Sequence, residues 1–255
     1  MTTVAVIQAR CGSTRFPRKV LAPLQGRPML AHIIERVSRA TLVDRDVVAT
    51  TDGTIDNEVA TLACASGAGV TRGPEDDVLT RYVMAAREHD ADVIVRITAD
   101  CPLTDPAVVD SVISARSRDD ADYASNVEPP TFPEGYDCEV FTDACLQRLD
   151  AEANADYLRE HVTALTRERP DLFRIVRVAC DRDLSWIRLT VDVPADLARV
   201  EALLSKLPAT PPPGLAAVVA AFELDPALRD QTGLPLRNER YHAQRDAARR
   251  EHVGG

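Results

Sequence analysis

The sequence predicts an α/β protein built on a mostly parallel sheet with helices on both faces. Three observations predict it. Short apolar runs rich in β-branched residues recur through the first half of the chain. These runs are apolar throughout, as in strands buried on both faces. Each is followed by a segment with apolar residues at helical spacing. Such β-α-β-α alternation gives a parallel sheet, and ligands then sit beyond the carboxyl ends of its strands.

Residues 3–9 form the first apolar run, and residues 10–26, punctuated by Gly12, Pro17, Pro23 and Gly26, read as a loop. Residues 28–40 carry Met29, Leu30, Ile33, Ile34 and Val37 at a helical period. Strands follow at 46–51, 69–72 and 92–98, and helices at 54–66, 76–89 and 105–116. After Tyr123 the alternation falters, and a Pro-rich loop spans 128–136. Strands are expected at 137–141, 173–180 and 187–191, with helices at 143–151, 155–169 and 194–206. A Pro-rich linker at 208–213 leads to helical patches at 215–222 and 226–229, and the polar last dozen residues are expected to fray. The division expected is a main domain over 1–207, with an inserted segment near 123–185, and a linker with a helical tail over 208–255.

Hydrophobic residues make up 45% and charged residues 27% of the 255 residues, enough apolar material for a sizeable core. The formal net charge of −10 argues against a general nucleic-acid or membrane-surface binder. None of the six cysteines forms a C-x-x-C pair, which disfavours a zinc ribbon. No signal peptide and no membrane-length apolar run are evident, so a cytoplasmic protein with reduced thiols is expected.

Three constellations carry chemistry. The first runs from Gln8 to Lys19 at the end of the first strand. It holds Arg10, Arg15, Arg18 and Lys19 with no acidic residue among them, and Gly12, Ser13 and Thr14, which can turn N–H groups inward. A triphosphate needs amide donors, hydroxyls and fixed cations together. The plain alternative is a solvated basic loop. The second constellation delivers Asp100 at the end of a buried strand, before Pro102, and the third delivers Asp192 before Pro194. Carboxylates facing a phosphate loop suit Mg²⁺, which takes one or two of them plus phosphates and waters; the alternative for each is a helix N-cap. A weaker set comprises Asn126, Glu134, Asp137, Glu139, Arg159, Glu160 and His161, read either as acceptor contacts or as a solvated helix face. Residues 72–77, ending at Asp77, either border a nucleotide or cap the next helix.

These residues resemble the spore-coat-polysaccharide cytidylyltransferase family, whose relatives act on acylneuraminate and 3-deoxy-manno-octulosonate. The likeness is carried by Ile7-Gln-Ala-Arg-Cys-Gly-Ser-Thr-Arg15 with Pro17 and Lys19, and by Arg96-Ile-Thr-Ala-Asp-Cys-Pro-Leu103. It extends through Val48–Asp52, Arg72–Leu79, Arg159–Thr163, Asp183–Ser185, Thr190–Asp192 and Arg237–Tyr241. The resemblance implies a Rossmann-like nucleotidyltransferase fold, CTP as donor, Mg²⁺ as cofactor, a small acidic acceptor and a homodimer. It implies that Arg10, Ser13, Arg15 and Lys19 hold the triphosphate and that Asp100 and Asp192 hold the metal. Gln8, Ala9 and the region of Asp77 would border the cytidine, with Gly12 and Thr14 in the same loop. Asn126, Glu139, Arg159 and His161 would face the acceptor.

The chain departs from the family pattern at Arg18 and Ala99, where glycine is usual, and at Val193 and Ala195, where Thr and Glu are frequent. Arg18 either alters the phosphate path or adds a cation for an unusual acceptor. A glycosyltransferase is the rival enzyme, but Asp100 is followed by Cys101 and Pro102, not by a D-x-D pair. A non-catalytic nucleotide-binding protein is the rival of another class, disfavoured by the intact cationic loop and both aspartates.

Overall fold

The first apolar run forms β1 (Thr3–Gln8), and a loop leads from it to a two-residue hairpin, β2 (Pro23–Leu24) and β3 (Arg27–Pro28). α1 (Met29–Val37), β4 (Arg45–Thr51), α2 (Asn57–Ala65), β5 (Gly69–Gly73), α3 (Val78–Glu88), β6 (Val93–Thr98) and α4 (Pro106–Arg118) continue the predicted alternation. Then come β7 (Tyr123–Ser125), β8 (Glu139–Thr142), α5 (Asp143–Glu152), α6 (Asp156–Glu160), α7 (Leu165–Glu168), β9 (Ile175–Arg177) and α8 (Pro194–Leu204). α9 (Leu215–Leu224), α10 (Pro226–Arg229) and α11 (Glu239–Val253) complete this computed structural model, which describes residues 1–229, 237 and 239–253.

Seven strands form one sheet in the order β5-β4-β1-β6-β8-β7-β9. β1 pairs in parallel with β4 on one side and β6 on the other, while β8 runs antiparallel to β6 and β7. The chain winds outward from β1 through β4 to β5 and then returns to β6, so the strand order reverses between β1 and β6. That reversal opens a crevice at the carboxyl ends of these two strands. Alternate residues of β1 face opposite layers. Ala5 and Ile7 pack in one apolar cluster with Ile33, Val59 and Val112, and Val4 and Val6 in another with Leu79, Tyr82 and Leu146. Helices therefore cover both faces, as predicted, and the sheet is mostly parallel.

Four local expectations are corrected. The helix expected over 155–169 is broken into α6 and α7, because Val162 takes φ 53° and the Thr163 hydroxyl turns to Glu139 Oε1, 2.5 Å away. The strand expected at 187–191 is an extended segment with only an isolated bridge, Glu134 to Arg188. Its neighbour is the Pro-rich loop, which offers no regular ladder. The strand expected at 173–180 shortens to β9. The polar stretch expected to fray is helical as far as it is described, with α11 continuing to Val253. A short strand, β7, forms where the alternation falters, at Tyr123.

The C-terminal region packs onto the body. Val218 and Phe222 of α9 join a buried cluster with Leu103, Leu189, Val200 and Leu203. Asp105 caps α4 at Ala107 N and also accepts from Leu215 N at 2.5 Å. Among the described residues, no helix is long and apolar enough to cross a membrane.

Candidate active site

The loop after β1 is held by its own backbone. The N–H groups of Ser13 and Arg18 both donate to the Cys11 carbonyl at 2.9 Å, and Cys11 N donates to Asp56 Oδ1 at 2.6 Å. The loop thereby returns Lys19 to the crevice between β1 and β6. There the Lys19 ammonium lies 3.3 Å from Asp100 Oδ2 and 3.2 Å from Asp192 Oδ1, and donates to the Val191 carbonyl at 2.7 Å. The two aspartates are neighbours because Val191 N donates to the Asp100 carbonyl at 2.8 Å, and the Thr190 hydroxyl to the same oxygen at 3.2 Å. Gly135, at φ 107°, lets the Pro-rich loop press against this segment: a Cβ there would stand 2.8 Å from the Leu189 carbonyl carbon. Neither aspartate is a helix cap, since α4 is capped by Asp105 and Asp196 receives the N–H groups of Asp192 and Val193 at the start of α8.

Further charges surround this centre. Arg15 pairs with Asp192 at 2.8 Å. Arg188 pairs with Asp192 at 2.8 Å and with Glu134 at 2.7 Å. Burial pushes the Lys19 pKa down, but Asp100 and Asp192 outweigh it and hold the pKa above its ordinary value. Burial likewise pushes the Asp100 carboxyl up, and Lys19 and Thr98 reverse this to leave it below the usual range. Both groups are therefore charged at neutral pH. The acidic oxygens of Asp100 and Asp192 converge on one cation, and their hard-oxygen chemistry suits Mg²⁺. Among the described residues, no group of three or more His, Cys, Asp or Glu is arranged as a metal site. A pair of carboxylates would need phosphates or waters to complete a Mg²⁺ shell.

A cavity of about 310 Å³ opens over this centre, within the range of small-molecule sites. Gln8, Ala9, Arg10, Ser13, Thr14, Arg15 and Lys19 line it from β1 and its loop. Asp100 and Asp192 line it as well, and Glu139 and His161 line it from the later elements. Four expected residues lie outside that lining. Gly12 sits beside the Arg10–Glu75 pair, which would meet a Cβ there at 2.8 Å. Asp77 caps α3 through Thr80 N at 2.8 Å and binds Arg159 at 2.6 Å. Arg159 also reaches Asp150 at 2.8 Å, so its fork is spent on a structural junction and is corrected from an acceptor contact. Asn126 is buried, donating to the Tyr136 carbonyl at 2.7 Å and accepting from Cys138 N at 2.8 Å. It too is corrected to a loop-bracing residue.

The cavity also holds Arg81, Arg96, Arg167 and Tyr241, none of them expected as site residues, although Arg96 and Tyr241 stand in segments that carry the family likeness. Arg81 stands three residues after Val78 and four before Ala85, both buried; a cation on an apolar helix face is the signal that marks it. Arg96 interrupts an otherwise apolar strand. Arg167 and Tyr241 carry no such signal, because they arrive through the broken helix and the C-terminal helix.

Arg18 is explained by backbone. It adopts φ 60°, ψ 22°, the left-handed region that glycine enters freely. Its guanidinium turns outward to Glu58 at 2.6 Å and does not line the cavity. Arg18→Gly is accordingly expected to raise stability by about 1 kcal/mol, since a side chain costs roughly 1–2 kcal/mol in that conformation and an exposed ion pair gives little back. Turnover should be unchanged. Urea unfolding and steady-state rates check this, and a large rate loss would return Arg18 to the phosphate path.

A family model described as cytidylyltransferase matches residues 4–220. The spore coat polysaccharide biosynthesis protein SpsF of Bacillus subtilis (strain 168) is 33% identical over 79% of this chain and 85% of its own length. The structure of a cytidylyltransferase from Leptospira borgpetersenii is 29% identical, with a TM-score of 0.88 over 92% of this chain and 100% of that one. A CMP:2-keto-3-deoxy-manno-octonic acid synthetase solved with CTP is 21% identical, covers 81% of this chain and 99% of that one, and shares the fold at a TM-score of 0.63.

Proposed function

The chain belongs to the cytidylyltransferase family, and from that premise we propose that it joins the CMP unit of CTP to a small acidic acceptor and releases pyrophosphate. The observation that carries this reading is the Lys19 ammonium seated between Asp100 and Asp192, beneath a loop bearing Arg10 and Arg15. An acceptor oxygen attacks the α-phosphorus, the bond to the β-phosphate oxygen breaks, and pyrophosphate leaves in line. Arg10, Arg15 and Lys19 bind the triphosphate and offset the negative charge that grows on the leaving group. Ser13 and Thr14 add hydroxyl donors, and Gln8 and Ala9 border the base. Asp100 and Asp192 would hold Mg²⁺, which supplies charge neutralisation at the phosphate oxygens when bound. A carboxylate, phosphate or phosphonate acceptor is already ionised at neutral pH and needs no general base. The enzyme is read as acting in the cytoplasm as a homodimer, the assembly that its resemblance implies.

A pyrophosphate-release screen tests this directly. Sugar acids, sugar phosphates and phosphonates are offered with each of four nucleotides and Mg²⁺. Release that requires both CTP and an acidic acceptor is expected. Equal release from all four nucleotides, or failure of CTP to bind by calorimetry, would overturn the reading.

A further inference from the structure

Behind the candidate active site lies a second cavity of about 400 Å³, and the two share Val127, Arg167 and Tyr241. Its lining gathers Arg167, Arg237, His242, Arg245 and Arg249 against two carboxylates, Glu128 and Glu168. Glu128 pairs with Arg167 at 3.1 Å and Glu168 with Arg249 at 2.9 Å, so in a chain of formal net charge −10 the lining still carries four guanidiniums to two carboxylates, a local excess that suits an anion. One wall is α11. Tyr241, Arg245 and Arg249 recur at four-residue spacing and so share a face. That wall is fastened to the body: Gln244 Nε2 donates to Glu160 Oε2 at 2.5 Å, and its Oε1 lies 2.6 Å from His161 Nε2. The Tyr241 hydroxyl donates to Glu168 at 3.2 Å.

Two details point to a ligand. The Tyr241 ring carries the guanidinium of Arg167 at 5.3 Å and that of Arg245 at 5.7 Å from its centroid. Cation–π contact gathers both at one ring; Arg167 is also paired with Glu128 at 3.1 Å and Arg245 with Asp246 at 2.9 Å, and a guanidinium's five N–H donors let each take an anion as well. Arg237 is the third cation on this wall, and its Nη2 is held by Asp137 at 2.5 Å. Its Nη1 donates to the Phe132 carbonyl at 3.3 Å, so the guanidinium is fixed at the cavity wall.

We propose that this second cavity grips a carboxylate or phosphate carried by the acceptor, at a point distinct from its attacking oxygen. Arg167, Arg237 and Arg245 are then specificity-determining residues, and the acceptor runs from the phosphate loop past Tyr241 into the second cavity. This rests on the cytidylyltransferase reading for the ligand's identity, but the anion site itself stands on the cavity. Arg237, Tyr241 and Arg245 lie beyond residues 4–220, which the family model matches. Arg167 lies within that range, so the acceptor grip joins one residue of the matched region to a helix beyond it.

Calorimetry on the full-length chain tests the site, with CTP and inorganic phosphate as separate titrants and phosphate added in the presence of CTP. Saturable phosphate binding is expected, weakened about tenfold in Arg245→Ala and less in Arg245→Lys, which keeps the charge but lacks the fork. CTP affinity should be the same in all three. If Arg245→Ala misfolds by circular dichroism, Arg249→Ala carries the same expectation. CTP binding with no phosphate binding, or with phosphate binding indifferent to both arginines, overturns the proposal. Arginine-dependent phosphate binding without CTP binding would instead sink the donor reading and leave the anion site standing. Kinetics then separate the two sources of the anion. Phosphate inhibition competitive with the acceptor, and an acceptor KM raised about tenfold in Arg245→Ala at similar kcat, identify the acceptor's own group. Inhibition that is not competitive identifies a free anion and overturns the specificity role.

Discussion

Asp100→Asn and Asp192→Asn are each expected to lower turnover by about a thousandfold or more, roughly 4 kcal/mol at 1.36 kcal/mol per tenfold. Each variant removes one of the two negative charges that converge on the Lys19 ammonium, and with it half of the hard-oxygen pair that would hold Mg²⁺. The fold should survive. In Asp100→Asn, Lys19 keeps Asp192 at 3.2 Å. In Asp192→Asn, Lys19 keeps Asp100 at 3.3 Å, and Arg188 keeps Glu134 at 2.7 Å and Asp196 at 3.4 Å. No buried cation is left wholly unpaired, so melting temperatures should stay within a few degrees, about 1 kcal/mol for a domain of this size. The check is pyrophosphate release across a Mg²⁺ titration, with melting followed on the same samples. Rates close to those of the parent enzyme at saturating Mg²⁺, in both variants, would detach the aspartates from the phosphate chemistry. Collapse of the fold would mean that their work is structural.

The parts of this centre that were legible in the sequence are those fixed by strand order. Gln8 and Asp100 end apolar runs, and a parallel sheet brings the ends of its strands to one edge, so their meeting follows from pattern alone. The cationic loop was legible because Arg10, Arg15 and Lys19 follow one such end without an acid among them. What could not be read depends on contacts between distant segments. Asp192 was singled out by its place before Pro194 and by the family likeness, but how it meets Asp100 was not: two hydrogen bonds to the Asp100 carbonyl, from Val191 N and the Thr190 hydroxyl, join segments some 90 residues apart with no regular ladder. Arg159 looks like a substrate ligand by composition. Only the packing of α6 against α3 shows that Asp77 and Asp150 take its fork. The break at Val162 is equally hidden, since periodicity alone favours one helix through Arg169, while the pull of Thr163 toward Glu139 comes from a strand far away in sequence. Arg18 shows the converse. A departure from a family glycine suggested new chemistry, and its φ of 60° shows a backbone requirement instead.

Glu139→Ala is expected to destabilise the protein by about 3–5 kcal/mol, the cost of leaving a buried charge without its partner. The reason lies in register. Arg96 of β6 and Glu139 of β8 are directly opposed in the antiparallel pair, so the cation inside an apolar strand meets a carboxylate across the ladder. Glu139 is only 2% exposed. Arg96 donates to its Oε2, and its Oε1 accepts from the Tyr123 and Thr163 hydroxyls at 2.5 Å each. Truncation strands all three donors. Replacing both partners, as in Arg96→Leu with Glu139→Leu, should recover the part of the loss that comes from the stranded Arg96, while the Tyr123 and Thr163 hydroxyls stay without their acceptor. The pH dependence has a definite sign. Burial pushes the Glu139 carboxyl up, but Arg96, Arg167 and the two hydroxyls outweigh it and hold it below its ordinary value. A carboxylate depressed on folding stabilises the native state above its unfolded pKa, and this is lost as pH falls through the lower folded value. The stability gap between the parent and Glu139→Gln should therefore be full at neutral pH and narrow as pH falls below about 4. Urea unfolding at a series of pH values reads this gap. A gap that stays constant into acid would mean that Glu139 is not ionised in the fold. A raised acceptor KM with no loss of stability would instead make it a ligand of the acceptor, which its place on the cavity wall also permits.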